Sequence, residues 1–470
     1  MSEAIAEMVI PGTYIEVRAE GLIAVGAIAT GNIGIVGTAA KGPADDAVAI
    51  GSFGEAIDAF GAYDPIGDPI VADAPLTLVR ALEQTYAGGA RNVFAVRAAN
   101  GAPAQATLEV QATGAADGFT LTAKEGGTWG NLIGVSTASE TVDGTTTWRL
   151  TLTYRIVREM YEGADVGEVH AKLADSTLVE VGDVDNAGSG FELIDTTLAG
   201  GTDGADVSTA DLARSLAVLA SEPVNILLVA GGAAGDVANI VLAHLEQTEN
   251  DARERIALLG ASASGTASAA AEIIDNDVPA VGDDRVVLCA PGMVTTDAAS
   301  GTSVTLPPAY TAAMVAGKLS TLAPHISLTN KAVPMTPDVR YSSALTQRLL
   351  QSRVLLVKQK FGAQVVKGIT TSPKPFDQIS IRRIVDYAKA GVRSGSDPYI
   401  GRLNNARVRA ALKATLDGFL SQMVLDEMLI SYDLVVSATR AQEIRGIASV
   451  VMTLRPTFSI DFIRVTMNLE

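Results

Sequence analysis

The chain has one cysteine, Cys289, and so cannot close a disulfide within itself. Its three histidines, His170, His244 and His325, are scattered singly, and with one cysteine they supply no set at the spacing a metal site needs. Only 19% of residues are charged, yet no apolar run approaches the roughly 20 residues of a membrane-spanning helix. The opening run Met1-Ser-Glu-Ala-Ile-Ala-Glu7 is acidic where a secretory signal is basic. Folding in a reducing cytosol is therefore expected, without membrane insertion. Cys289 lies in the apolar run Val286-Val-Leu-Cys289 and reads as a small core residue.

What remains is abundant apolar surface. The chain has 470 residues, 48% of them hydrophobic, enough for two to four domains with sizeable cores. A low charge fraction suits a protein that buries much of its surface against other subunits. The charge it has is unevenly placed. Residues 330–470 hold 20 Lys and Arg against 11 Asp and Glu, a net of +9, while residues 1–329 hold 15 against 42, a net of −27. The split predicts a C-terminal region that faces an acidic partner. The overall balance of −18 argues against direct nucleic-acid binding by the whole molecule.

Along the chain the texture changes several times. Residues 1–20 carry Pro11-Gly12 and one strand-like patch from Tyr14 through Ile15 to Val17, and read as an extended arm. Residues 21–100 have α/β texture, with a strand at Gly31 to Gly37, a helix around Pro75 to Tyr86 and a strand at Asn92 to Val96. Residues 101–200 are rich in Thr and Gly, with alternation in Trp148-Arg-Leu-Thr-Leu-Thr-Tyr154, and read as an inserted β-rich module facing outward. Residues 201–330 alternate helices with continuous apolar strands, which implies a parallel sheet covered on both faces. A C-terminal domain is expected over 331–455, with a helix starting at Thr336-Pro-Asp338, a hairpin from Val354–Val357 and Gln364–Ile369, and helices Ile379–Ala390 and Asn405–Met428. The last helix carries the apolar stripe Val408, Leu412, Leu416, Phe419, Met423. Cations cluster here: Arg382, Arg383, Lys389 and Arg393 near one helix, and Arg407, Arg409 and Lys413 on the next.

The end of the chain is the most patterned part. Leu434-Val-Val-Ser-Ala-Thr439 and Gly446-Ile-Ala-Ser-Val-Val-Met-Thr-Leu454 are strand-like, with Val435, Ser437, Val450 and Met452 among their residues. After Pro456 the chain alternates Phe458, Ile460, Phe462, slips by one residue, and alternates again as Ile463, Val465, Met467, Leu469. A period-2 apolar segment needs a sheet to lie on. It is either an edge strand of its own domain or an arm that completes a sheet in another copy by strand addition.

Candidate chemistry is thin. Gly301-Thr-Ser303, with Pro307 four positions after the serine, resembles the nucleophile motif of subtilisin-like peptidases but departs from it at the two residues after Ser303. No histidine stands in that family's base motif, and a serine without a base is an ordinary alcohol. Ala230-Gly-Gly-Ala-Ala-Gly235 could seat a phosphate at a helix N-terminus, but lacks a P-loop lysine and reads as a tight turn. The pairs Asp45-Asp46 and Asp283-Asp284 read as solvated loop residues.

Taken in order, Pro11-Gly-Thr-Tyr14, Gly34-Ile-Val-Gly37, Lys41-Gly-Pro43, Phe53-Gly54, Phe60-Gly61 and Tyr86 to Arg97 at one end, and Gly418-Phe-Leu420, Tyr432-Asp-Leu434, Ile444-Arg-Gly446 and the terminal Phe-Ile-Arg-Val at the other, resemble the contractile tail sheath proteins of phages and phage-derived injection systems. The resemblance implies a multi-domain α/β protein: a subtilisin-like-fold sheath domain without catalysis over 21–100 and 201–330, the inserted β-rich domain over 101–200, an α+β inner domain over 331–455, and arms at 1–20 and 456–470. It implies a structural subunit with no cofactor, polymerising as stacked hexameric rings around an inner tail tube protein, with baseplate and tail terminator proteins as further partners. Its place would be the virion tail, assembled in the host cytoplasm. The arms would be Tyr14, Ile15, Val17 and Phe458, Ile460, Phe462, Val465, Met467, accepted by Val435, Ser437, Val450 and Met452. A subtilisin-like hydrolase and a non-contractile shell polymer are the alternatives.

Overall fold

Strands with no polar side persist only where both faces are covered, and the continuous apolar runs of this chain are covered in that way. The computed structural model describes residues 28–61, 76–114, 116–263, 267–296, 301–373 and 376–468. They divide into a larger unit, Ala29–Arg382 with the segment from Ile460 onward, and a smaller one, Arg383–Ser459.

The larger unit begins with β1 (Ile33–Gly37), β2 (Ala47–Ile50), α1 (Phe53–Phe60), α2 (Leu78–Gly88) and β3 (Val93–Arg97). The chain then builds a separate module from β4 (Thr107–Ala112), β5 (Ala116–Ala123), β6 (Gly134–Val142), β7 (Thr145–Tyr154), β8 (Val157–Gly163), α3 (Val166–Leu173), β9 (Val179–Val181) and β10 (Asp195–Thr197). Its two antiparallel sheets, β10-β6-β7-β8 and β4-β5-β9, enclose a core of their own around Trp129, Ile133, Leu150, Leu152 and Phe119. Buried Arg97, at the end of β3, ties the module to the parallel strands. It donates to the Gly42 carbonyl at 2.8 Å, the Gly126 carbonyl at 2.7 Å and Asp203 at 3.1 Å.

Next come α4 (Thr209–Leu219), β11 (Ile226–Val229), α5 (Ala234–Asn250), β12 (Ile256–Gly260), α6 (Ala267–Glu272), a π-helical turn at Ile273–Asp277 leading into α7 (Val278–Ala280), and β13 (Val286–Ala290). They are followed by β14 (Met293–Thr296), β15 (Ser303–Leu306), α8 (Pro308–Ser320), β16 (Thr336–Pro337), α9 (Ser343–Gln351), β17 (Val354–Gln359) and β18 (Ala363–Val365). Ser208 and Asp211 form a reciprocal capping box at the start of α4, as their spacing predicts. The large sheet runs β18-β17-β13-β12-β11-β1-β3-β2. It is parallel from β17 to β3, with the antiparallel strands β18 and β2 at its edges. Neighbouring residues feed opposite faces: Ile35, Leu258 and Leu355 enter one core, Val36, Leu259 and Leu356 the other.

Two expectations change here. Thr336-Pro337 does not start a helix. It forms β16 against β14, the Asp338 N–H goes to the Gly292 carbonyl, and the helix begins later, capped by Ser342. The boundary expected at Lys331 falls inside the larger unit, because β17, apolar and buried from Val354 to Val357, takes its place beside β13. A short apolar run does not name its neighbour.

The smaller unit takes in most of α10 (Ile379–Ser396), which crosses from the larger one, and then α11 (Ala406–Leu425), β19 (Leu429–Ser437), α12 (Arg440–Ile444) and β20 (Ser449–Pro456). Leu412, Leu416, Leu420 and Met423 of α11 are buried. Helices α10 and α11 meet where Gly391 lies against Phe419: a Cβ at Gly391 would fall 2.0 Å from the ring.

Candidate assembly surfaces

β19 and β20 pair antiparallel from Leu429 with Pro456 to Ser437 with Ser449, and form a sheet of two strands only. Each strand therefore has one edge whose backbone groups meet no strand among the described residues. Alternation sets the faces. Leu434 is buried, while Val435 and Val451 are more than half exposed. The hairpin is fixed to α11 by Tyr432, whose hydroxyl is 2.7 Å from Asp417 Oδ1 and 2.8 Å from Ser421 Oγ. That clamp was missed at the sequence level, although Tyr432-Asp-Leu434 is one of the motifs that carry the resemblance; the strand itself starts earlier, at Leu429. Of the expected acceptor residues, Val435 and Ser437 are exposed on β19, and Val450 and Met452 are half-buried on β20. Isolated two-stranded sheets are marginal in water, and open edges invite pairing with another chain.

Beyond β20 the residues Thr457 to Asn468 form no strand. Phe458, Ile460, Phe462, Val465 and Met467 are all more than half exposed, an unusual run of bare apolar groups. Tyr14, Ile15 and Val17 lie outside the described residues.

The cations divide sharply. Arg382 is buried, donates to Asp284 Oδ2 at 3.3 Å and stacks 4.4 Å over the Phe376 ring. Arg383 is buried too, and burial pushes its guanidinium down to about 10 against the opposing pull of Asp386. Lys389 and Arg393 are half-buried. Arg409 donates to Glu443 at 3.0 Å. Arg440 also donates to that carboxylate, and the two bonds hold it below the usual range. Arg407 and Lys413 are exposed.

Groups singled out for chemistry are occupied or isolated. Ser303 opens β15 opposite Thr296, and none of the three histidines bonds to it. His170 meets the Gly182 carbonyl, His244 meets Arg255, and His325 Nδ1 is buried without a partner. At the Gly-rich turn, the Gly235 N–H donates to Ser262 Oγ, which donates in turn to fully buried Asp277. The chain's own oxygens thus fill the seat a phosphate would take. Asp45 is not merely solvated: it accepts from Arg214 at 2.7 Å and from Ser215 at 2.5 Å. Asp46 accepts from its neighbour Ala47 N–H. Asp283 accepts from the Arg285 N–H and Asp284 from Arg382. Cys289 is fully buried, which pushes its thiol up. Among the described residues no helix is long and apolar enough to cross a membrane, and no group of three or more His, Cys, Asp or Glu could hold a metal ion.

Residues 371–470 match the family model described as phage tail sheath C-terminal domain. No curated protein sequence matches the chain. Among solved structures, the sheath tail protein from Desulfitobacterium hafniense is similar at a TM-score of 0.68 and 19% identity, over 95% of this chain and 100% of that one. The sheath tail protein from Listeria innocua is similar at 0.62 and 17%, over 92% and 96%. The contracted sheath complex of an extracellular contractile injection system, PVC, is similar at 0.60 and 12%, over 99% of each chain. At these identities the likeness shows the fold. Residues 371–470 thus match the phage tail sheath C-terminal domain model, and 95–99% of the chain shares its fold with solved sheath proteins.

Proposed function

We propose that the protein is the subunit of a contractile sheath, which polymerises as stacked hexameric rings around an inner tube and drives that tube through a cell envelope by contracting, without nucleotide hydrolysis. The observation that carries this reading is the two-stranded sheet of β19 and β20, followed in the chain by an exposed period-2 segment that forms no strand among the described residues. Two open edges suit two donated arms: one from residues 456–470, one from the N-terminal patch Tyr14, Ile15, Val17. Val435, Ser437, Val450 and Met452 then sit on acceptor strands. Each added backbone hydrogen bond nets about 0.5–1.5 kcal/mol, so one arm holds weakly and a mesh of many holds firmly. Such arms act as hinges while the larger units rotate and repack.

The large parallel sheet is read as the subtilisin-like layer of the sheath domain, with Ser303 catalytically idle, and the β4–β10 module as its outward-facing insertion. Arg407 and Lys413, the exposed cations of α11, face an acidic tube protein, with Lys389, Arg393 and Arg409 nearby in sequence. Buried Arg382 and Arg383 serve the fold instead. Baseplate and terminator proteins cap the polymer in the tail of a phage or injection particle. Electron microscopy of the purified protein tests the reading: full-length chain forms hollow cylinders, while chains lacking residues 1–18, or everything after Arg455, stay folded and discrete. Flat sheets would favour a non-contractile shell, and normal cylinders from both truncations would remove the arms from assembly.

A further inference from the structure

Asp461 is the one acidic residue from Thr457 to Asn468, and it interrupts the apolar alternation on the side opposite Ile460 and Phe462. Those neighbours are 79% and 84% exposed, whereas the Asp461 side chain is 9% exposed. Oδ1 accepts from Thr329 Oγ1 at 3.1 Å, and Oδ2 accepts from Gln378 Nε2 at 3.1 Å. Lys367 Nζ stands 3.7 Å away and also lies 5.5 Å over the Phe462 ring. Thr329 is aimed at the carboxylate because its hydroxyl accepts from the Gly368 N–H at 3.1 Å. All these partners belong to the larger unit. Past this point the sequence pattern slips by one residue, and Ile463, Val465 and Met467 are bare.

We infer that Asp461 divides the C-terminal segment into a tether kept by its own subunit and a strand given to a second copy of the chain, from Ile463 onward. A carboxylate taken out of water is stable when two donors and a cation satisfy it, and pulling it free would break two hydrogen bonds and an ion pair in a largely buried site. The clamp also fixes which way the extended chain faces as far as Phe462. The phase slip releases the residues beyond from that constraint, so that Ile463, Val465 and Met467 form an apolar face of their own for a foreign sheet. The inference rests on the arm-exchange reading above and narrows the donated part to the second phase of the pattern. The pivot lies between Phe462 and Ile463.

Chymotryptic cleavage after Phe462 in unassembled full-length protein reads the tether, and electron microscopy of assembled protein reads the donated strand. Asp461→Ala should raise the cleavage rate about tenfold, the equivalent of one charge-assisted hydrogen bond. Thr329→Val, which leaves the cleaved sequence untouched, should raise it by a smaller factor. Val465→Asp with Met467→Asp should abolish cylinders without changing cleavage after Phe462, and Phe458→Asp with Ile460→Asp should leave cylinders intact. Cleavage unchanged in both Asp461→Ala and Thr329→Val overturns the tether. Cylinders lost as fully with the Phe458 and Ile460 pair overturn the division at Asp461. Normal cylinders from the Val465 and Met467 pair overturn the donated strand and the arm exchange with it, a failure distinct from a missing tether.

Discussion

His244 of α5 and Arg255 are both buried, and Arg255 NH1 donates to His244 Nε2 across 2.9 Å. Arg255 also donates to the Ala220 and Glu222 carbonyls, so the pair ties the end of α4 to the start of β12. Burial first, and the Arg255 charge second, push the imidazole from 6.5 down to about 4. The unfolded chain takes up a proton near pH 6.5 that the folded chain refuses until about pH 4. Stability from this group is thus full above pH 6.5 and is lost as pH falls through that window, on the order of 3 kcal/mol in total. His244→Gln keeps an acceptor for Arg255 but does not titrate, so its melting temperature should fall less steeply than the wild type's between pH 7 and pH 4. Parallel slopes for the two proteins would contradict this.

Helix packing makes opposite demands on two glycines of the smaller unit. Propensity alone favours Ala over Gly inside a helix by about 0.8–1 kcal/mol. At Gly418 in α11, a Cβ would meet nothing within 4 Å, so Gly418→Ala should stabilise the subunit by about 0.5–1 kcal/mol. At Gly391 in α10, the same atom would overlap the Phe419 ring, with three ring carbons within 2.5 Å. Gly391→Ala should therefore destabilise by about 1–3 kcal/mol in spite of propensity. Urea unfolding of the two variants decides the point, and an equal sign for both would show that α10 and α11 do not pack through Gly391. In the larger unit the same logic holds at Gly317, where a Cβ would sit 2.0 Å from the Thr85 carbonyl oxygen of α2.

Charge acts at the scale of the whole molecule. The net +9 of residues 330–470 against −27 for the rest sets up the attraction proposed between the C-terminal region and an acidic tube. Exposed ion pairs are worth about 0.2–1 kcal/mol each and are screened over about 8 Å at physiological salt. A grip of this kind weakens with salt and adds up over many subunits. Reversing Arg407 and Lys413 to Glu should cut co-sedimentation of tube with sheath severalfold at 0.15 M salt, with self-assembly of the sheath unchanged. Co-sedimentation that is unaffected by the reversals and by ionic strength would remove α11 from the tube-facing surface.

Periodicity is a local property, and whatever depends on it was legible in the sequence. The apolar strands of the parallel sheet, the capping box at Ser208, the stripe on α11 and the strands β19 and β20 all follow from spacing alone, whereas the alternating segment after Pro456 forms no strand within the described residues. The phase slip after Phe462 was legible too, although its counterpart at Asp461 was not. Burial and partnership depend on atoms far away in the chain, and only the tertiary structure decided them. Arg382 and Arg383 carry the same sequence signal as Arg407 and Lys413, but Asp284, Phe376 and the packing around α10 draw the first two inside. Val354 to Val357 read as a hairpin strand of a separate C-terminal domain, and only the tertiary structure set it beside β13. Nothing in the spacing singled out Asp461; Thr329, Lys367 and Gln378, remote in sequence, close around it. A residue's type states what it needs, and the fold determines which neighbours meet that need.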